Sequence, residues 1–133
     1  MTIDTDLKKE TELFLRDMRV FYGRLALELL ETGKIGGRGC RLFNREAMTG
    51  SIQDILRDCD TALEALRKSD SLAVADFLKG MGEVRMILRP KFVESFIVGA
   101  WHPIRIAANN LEATTIRMQY IEVRLREAVE EGV

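Results

Sequence analysis

The sequence predicts an all-α protein: a four-helix bundle that forms a single domain over residues 1–133. Two observations support this fold class. Along most of the chain, apolar residues recur at alternating intervals of three and four, which is the spacing of one face of an α-helix. No segment alternates apolar and polar residues in the way that a half-buried strand does. With 133 residues, 47% of them apolar, the chain is also large enough to bury a core without metal or disulfide support.

The first helix is predicted to begin at Asp4 or Thr5 and to end at Thr32, because Asp and Thr favour the residue before a helix and Gly33 favours the residue after it. A helix of this length is a rod of about 40 Å, which suits the long axis of a bundle. Its predicted buried face consists of Leu7, Thr11, Phe14, Leu15, Met18, Phe21, Tyr22, Leu25 and Leu29.

A glycine- and arginine-rich segment follows, and we expect it to form a loop from Gly33 to about Gly50, with one short turn near residues 43–48. Four glycines fall within seven residues at its start. The segment does not match a phosphate-binding loop, which needs Gly-x-x-x-x-Gly-Lys-Ser/Thr between a strand and a helix. It does carry four cations with few acids nearby, and such a cluster could bind a nucleic-acid backbone or an acidic protein surface. These cations are Lys34, Arg38, Arg41 and Arg45.

Ser51 is predicted to cap the second helix, which should end at the polar run of residues 67–70. Its predicted apolar face consists of Ile52, Ile55, Leu56, Cys59, Leu63 and Leu66. The third helix should open at Ser69 or Ser71 and continue to Leu88. Pro90 should break or kink it, because proline lacks a backbone donor and restricts the residue before it.

The segment from Phe92 to Trp101 is apolar on nearly all sides. A helix of this kind must be buried all round, whereas each helix of a small bundle normally keeps one face in water. Large exposed apolar patches rarely persist on monomers. We therefore expect a homo-oligomer whose subunits meet at Phe92, Phe96, Ile97 and Trp101.

Pro103 can occupy the first turn of a last helix, which should run continuously to about Val129. Arg117 and Arg124 are seven residues apart on this helix and therefore share one face. They could extend the basic surface of the loop.

Residues 102–111 resemble the motif of histidine phosphotransfer domains, His-x-Leu-Lys-Gly-Ser-Ala-x-Asn-Leu, and the resemblance implies a phosphoryl group carried on His102. The further matching positions are Arg105, Ala107, Ala108, Asn110 and Leu111. Two positions depart from the motif: Ile106 replaces a glycine, and Pro103 does not suit a histidine in the middle of a helix. The alternative is a histidine that caps or packs against a helix.

Some carboxylates of the chain have spacings that approach those of metal-dependent helical enzymes. Glu28 and Glu31 resemble the first half of the Glu-x-x-Glu and Glu-x-x-Asp pair that holds magnesium in all-helical nucleotide pyrophosphatases. The second half is not matched, because Asp54 and Asp58 are four residues apart rather than three. The single histidine has no glutamate three residues before it, as a di-iron bundle would require. We expect no metal site and no cofactor.

The composition limits which partners the protein can bind and in which cellular compartment we expect it. The net charge of −1 argues against a protein whose whole surface binds nucleic acid. No apolar run is long enough to cross a membrane, and residues 1–9 lack the apolar core of a secretory signal. We therefore expect a cytoplasmic, non-enzymatic accessory or adaptor subunit that binds other proteins. The alternative is a nucleic-acid-binding accessory protein that uses the basic loop.

The nucleic-acid alternative is tested by replacing Arg38 and Arg41 together with alanine. If the loop binds a polyanion, affinity should fall steeply with salt, and each lost contact should reduce the log–log slope by about 0.7–0.9. The melting temperature should not change, because a solvated loop adds little to the core. A matched control replaces Lys8 and Lys9. The adaptor hypothesis instead expects no measurable affinity for DNA or RNA at physiological salt, and unfolding of the double variant would contradict both.

Overall fold

The computed structural model describes residues 5–32, 45–82, 89–90, 93, 102–111 and 114–131. Regular structure in these ranges is helical, so the predicted all-α class is confirmed. Five helices have their bounds within them: α1 (Thr5–Thr32), α2 (Arg45–Arg67), α3 (Ser71–Gly82), α4 (Pro103–Asn110) and α5 (Thr114–Glu131).

Helix α1 buries the face that its sequence predicts. It has 28 residues, and all nine residues of the predicted stripe are buried. The one polar member, Thr11, is accommodated because its hydroxyl donates to the carbonyl of Leu7 over 2.6 Å. Phe21 and Tyr22 pack edge to face, with ring centroids 4.9 Å apart. Helix α1 therefore presents one apolar face, on which α2, α4 and α5 pack.

Helix α2 begins at Arg45, so the prediction that Ser51 caps it is wrong, and the predicted loop to Gly50 is too long. The physical reason is that residues 45–48, Arg-Glu-Ala-Met, are good helix formers. Gly50 does not stop the helix, since a single glycine costs only about 1 kcal/mol. The buried face of α2 holds Ile52 and Cys59 as predicted.

The turn between α2 and α3 is short and tightly bonded. Ser69 has a φ of 58°, in the left-handed region. The amide of Asp70 donates to the carbonyl of Ala65 over 2.9 Å, and the Asp70 carboxylate accepts from the amide of Ala73 over 3.2 Å. Asp70 is thus the residue that caps α3. The helix opens at Ser71, one of the two predicted starts, whereas Ser69 lies in the turn before it.

The predicted last helix is divided in two. His102 precedes α4 and Pro103 is its first residue, which confirms the prediction for Pro103. Helix α4 ends at Asn110 and is followed by its cap, Leu111, whose amide donates to the carbonyl of Ala108 over 3.0 Å. The predicted continuation of the third helix from Gly82 to Leu88 lies outside the described residues.

One core joins all five helices. Helix α1 packs against α2 and α4, and α3 packs against α2 and α5. The thiol of Cys59 donates to the carbonyl of Leu15 over 3.2 Å, which ties α2 to α1. Arg126 ties α5 to α3 through the carboxylate of Asp76, 3.1 Å away. Helix α5 packs on α3 and, at its start, on α1. Its buried face contains Met118, Ile121, Leu125 and Ala128.

The α2–α3 turn yields a stability prediction. Asp70→Ala should lower the free energy of unfolding by about 1 kcal/mol, because one amide of α3 loses its acceptor. Ser69→Gly should raise it by up to about 1 kcal/mol, because glycine adopts a positive φ without steric cost. Urea denaturation measures both. Asp58→Ala, on the exposed side of α2, is the control and should change stability by less than about 0.5 kcal/mol. Equal losses for Asp70→Ala and Asp58→Ala would contradict the capping role.

Candidate interaction surface

The predicted basic loop is described at one position only. Lys34, Arg38 and Arg41 lie outside the described residues. Arg45 is the first residue of α2, so it begins a helix instead of lying in the predicted loop. The predicted oligomer contacts also lie outside the described residues: Phe92, Phe96, Ile97 and Trp101.

Arg117 joins three helices. Its guanidinium carbon lies 4.8 Å from the centroid of the Phe14 ring. One Nη lies 3.8 Å from a carboxylate oxygen of Asp17 and donates to the carbonyl of Asn110 over 3.3 Å. The side chain is only 22% exposed. Arg117 therefore holds the start of α5 against α1 and bonds a carbonyl at the end of α4.

Arg124 is more exposed than Arg117, and its Nε lies 3.7 Å from a carboxylate oxygen of Glu127. An exposed pair at this distance contributes little to stability. Arg124 thus keeps the surface position expected of it, whereas Arg117 is committed to contacts within the chain. Binding of nucleic acid by either residue stays a prediction.

Helix α1 carries a second apolar stripe on the side opposite to the core. Leu13, Val20 and Leu27 are 46% to 58% exposed, and their spacing of seven residues places them on one face. We call these three residues the α1 stripe. Gly23 lies beside them, and a Cβ atom added there would meet nothing within 4 Å. Exposed cations accompany the stripe: Lys9, Arg16 and Arg24.

Helix α5 carries a comparable stripe. Ile116, Tyr120 and Val123 are 51% to 73% exposed and are spaced by four and three residues, so they too share one face. We call these three residues the α5 stripe. Two exposed acids, Glu127 and Glu130, continue the same face toward the end of the helix. This surface is therefore apolar in its first half and acidic in its second.

The contact between α1 and α5 lies within a few residues of both stripes along each helix. Asp17 lies four residues after Leu13 and three before Val20, and Arg117 lies three residues before Tyr120. The Asp17–Arg117 pair joins the two helices at this point. Each stripe is exposed to solvent, and Val20 of the α1 stripe also lines the groove between α1 and α2.

A groove between α1 and α2 is a second candidate site, but its charges are paired within it. Arg16 lies 2.9 Å from Glu12, and Arg19 lies 2.5 Å from Asp60 across the two helices. Both pairs line the groove. A ligand would have to separate these pairs to use their charges, and the same holds for Arg16 beside the α1 stripe and Glu127 beside the α5 stripe. The stripes differ from the groove in exposing apolar side chains.

His102 has the geometry of a helix cap. Its Nδ1 accepts from the amide of Ile104 over 3.1 Å, and its Nε2 lies 3.8 Å from a carboxylate oxygen of Glu28. Both ring nitrogens therefore have neighbours within the chain. This geometry favours the capping interpretation over phosphotransfer, which uses a histidine in the middle of a helix.

The candidate acids that the structure describes lie apart from one another. Glu28 faces His102, whereas Asp54 and Asp58 lie beside Arg57 on α2. Among the residues that the structure describes, no group of three or more potential ligands is placed to hold a metal ion.

Cys59 is fully buried between α1 and α2. Burial raises the pKa of its thiol to about 12, and the nearby carboxylate of Asp60 adds to the shift. The thiol is therefore protonated at neutral pH and unreactive, since the thiolate is the nucleophile.

No family model, curated protein or solved structure matches this chain. Within the described ranges, no helix is both long enough and apolar enough to cross a membrane.

Sequence reasoning did not identify the α1 and α5 stripes. The signal was present, because Leu13, Val20 and Leu27 recur every seven residues outside the core pattern. It was obscured because the same helix carries a broader and more regular core stripe. Exposure, which separates the two faces, comes only from the folded chain.

The protonated state of Cys59 can be tested in a Cys40→Ser background, which removes the other cysteine. At pH 8 a thiol reagent should modify Cys59 at least tenfold more slowly in the folded protein than in urea. The unfolded thiol loses its proton near pH 9 and the folded one near pH 12. Stability should therefore decline as the pH rises through this interval. Cys59→Ala is the control. It has no thiol at this position, so its free energy of unfolding should lack the contribution of Cys59 to the fall between pH 9 and pH 12. Equal modification rates in the folded and unfolded states would contradict the burial.

Proposed function

We propose that this protein is a non-enzymatic accessory or adaptor subunit that acts through homo-oligomerisation and protein–protein contacts. The observation that carries the proposal is the pair of outward apolar stripes on α1 and α5. Single exposed apolar residues are common on any protein. Three at helical spacing on each of two adjoining helices form a surface suited to another helix.

The size of the apolar surface indicates the kind of contact it can support. Full burial of a Leu, Ile or Val side chain contributes about 1.5–3 kcal/mol, so each half-exposed member of the stripes can add about 1 kcal/mol. Six such side chains add about 6 kcal/mol, which is comparable to the roughly 4–15 kcal/mol that association costs. The apolar contacts alone therefore do not hold a partner, and the charged residues beside them must contribute.

Three described residues of types that can carry catalysis have structural positions, which supports a non-enzymatic role. Cys59 is buried and protonated. His102 accepts the bond that caps α4. Asp17 holds Arg117 where α1 meets α5. Each of these groups already serves the fold.

The proposal is tested by placing a photo-crosslinking amino acid at single positions in living cells. We expect protein adducts when it replaces Val20 or Val123, because these side chains lie at the middle and at the end of the stripes. Gln53 and Lys68, exposed positions on α2 and in the turn after it, serve as matched controls and should give few adducts. The mass of each adduct separates a second copy of this chain from another protein. Equal yields at all four positions, or none at the stripes, would contradict the proposal.

A further inference from the structure

We infer that the outward face of α1 binds an acidic amphipathic helix of another protein. The inference rests on the proposed function and names the kind of partner that the α1 stripe fits. Three observations support it: the spacing of the residues on this face, the open space at Gly23, and two exposed cations that have no ion-pair partner within the part of the chain that the structure describes.

The residues of this face have the spacing of a coiled-coil seam. Leu13, Val20 and Leu27 recur every seven residues. Arg16 and Gly23 lie between them, which gives intervals of three, four, three and four. We call these five residues the α1 seam. Such intervals are those of the a and d positions of a heptad repeat, which contact a second helix. The α1 seam therefore suits a helix that runs along α1.

Gly23 leaves a hole in the α1 seam. A Cβ atom added there would meet nothing within 4 Å. Val20 lies three residues before it and Leu27 four residues after it, and both are exposed. When helices pack with knobs into holes, a side chain of one helix fills such a space on the other. The partner helix therefore needs a large apolar residue opposite Gly23.

Lys9 and Arg24 favour an acidic partner. Both are exposed, and neither forms an ion pair with another described residue. Arg16 differs from them, because it already pairs with Glu12 over 2.9 Å. Lys9 and Arg24 are 15 residues apart, or about 22 Å along the helix. A partner helix of complementary charge carries carboxylates at both ends of its apolar face.

A second copy of α1 does not fit this face. Parallel pairing would place Lys9 of one copy against Lys9 of the other. Antiparallel pairing about Val20 would place Arg16 against Arg24. Both arrangements bring like charges together, which is costly at an interface.

Helix α5 of a second copy does not fit either. In a twofold exchange of the two helices, Arg117 must stay level with Asp17, as it is within one chain. Glu130 lies 13 residues after Arg117 and would then lie beyond Thr5, where α1 begins. The α5 stripe cannot bring this carboxylate to Lys9.

An anionic lipid surface fits less well than a helix. Val20 also lines the groove between α1 and α2, together with the carboxylates of Glu12, Asp60 and Glu64. A membrane surface is flat and negatively charged, so it would meet these carboxylates. A helix can follow the α1 seam alone.

The test places a photo-crosslinking amino acid at Val20 of the full chain in living cells and adds a second substitution. Gly23→Leu should lower the yield of protein adducts about tenfold, because leucine occupies the space that the partner's side chain needs. Lys9→Glu combined with Arg24→Glu should lower it by about the same factor, because both substitutions reverse the charge that the partner's acids meet. Mass spectrometry should locate the adduct in a carboxylate-rich segment of another protein.

The chain offers matched controls for both changes. Gly50→Leu, on α2, is also an exposed position where a Cβ atom would meet nothing within 4 Å. Lys68→Glu combined with Lys79→Glu reverses two exposed cations away from α1. Neither control should change the adduct yield at Val20. Thermal melts should show that Gly23→Leu and Gly50→Leu are at least as stable as the parent, because leucine is a better helix former than glycine.

The inference is wrong if Gly23→Leu leaves the yield at Val20 unchanged, or if Gly50→Leu lowers it equally. It is also wrong if the adduct is a second copy of this chain, a lipid, or a protein segment without carboxylates. If Val123 crosslinks to protein while Val20 gives one of these results, this inference fails and the proposed function stands. If neither position forms adducts, both fail.

Discussion

Burial of one face of α1 is the constraint on which the rest of the structure depends. Phe14, Phe21 and Leu25 are fully enclosed, and α2, α4 and α5 all reach this face directly. Dispersion and apolar burial at these positions supply most of the stabilisation of a bundle this size. The specific bonds are then built around that face. Cys59 donates to a carbonyl of α1, and Arg117 lies over the Phe14 ring.

Helix α1 has apolar residues both on its buried face and on its solvent-exposed face. Phe14 is enclosed while its neighbour Leu13 is more than half exposed, because consecutive residues of a helix point about 100° apart. The core stripe fixes the rotation of α1, and that rotation determines which of its remaining apolar residues face solvent. The outward stripe is therefore set by the inward one. A change that rotated α1 within the core would move both faces together.

The sequence predicted the parts of the fold that depend on periodicity. The bounds and the buried face of α1 follow from apolar spacing alone, as does the role of Pro103 at the start of α4. The start of α2 was missed because capping rules favour Ser51, whereas the intrinsic helix preference of residues 45–48 extends the helix past it. The break at Leu111 was missed because Ile104 to Leu125 keeps a helical pattern across it.

The candidate site was less accessible to sequence reasoning than the fold. Arg117 looks like any surface cation in the sequence, and only the positions of Phe14, Asp17 and Asn110 show that it holds three helices together. For His102 the sequence left phosphotransfer and a capping or packing role open, and the bond that its ring accepts from the Ile104 amide favours the cap. The stripes needed the exposure of each side chain, since apolar residues of the core and of the surface are chemically alike.

The turn between α2 and α3 has a consequence for the order of folding. Ser69 and Asp70 connect two helices that pack against each other, so this helical hairpin forms from contacts that are close in the chain and should form early. The contact between Asp17 and Arg117 joins residues 100 positions apart, and its closure carries a larger entropic cost. The surface that presents both stripes is therefore completed late in folding. A newly made chain acquires its proposed assembly surface only after its core helices have packed.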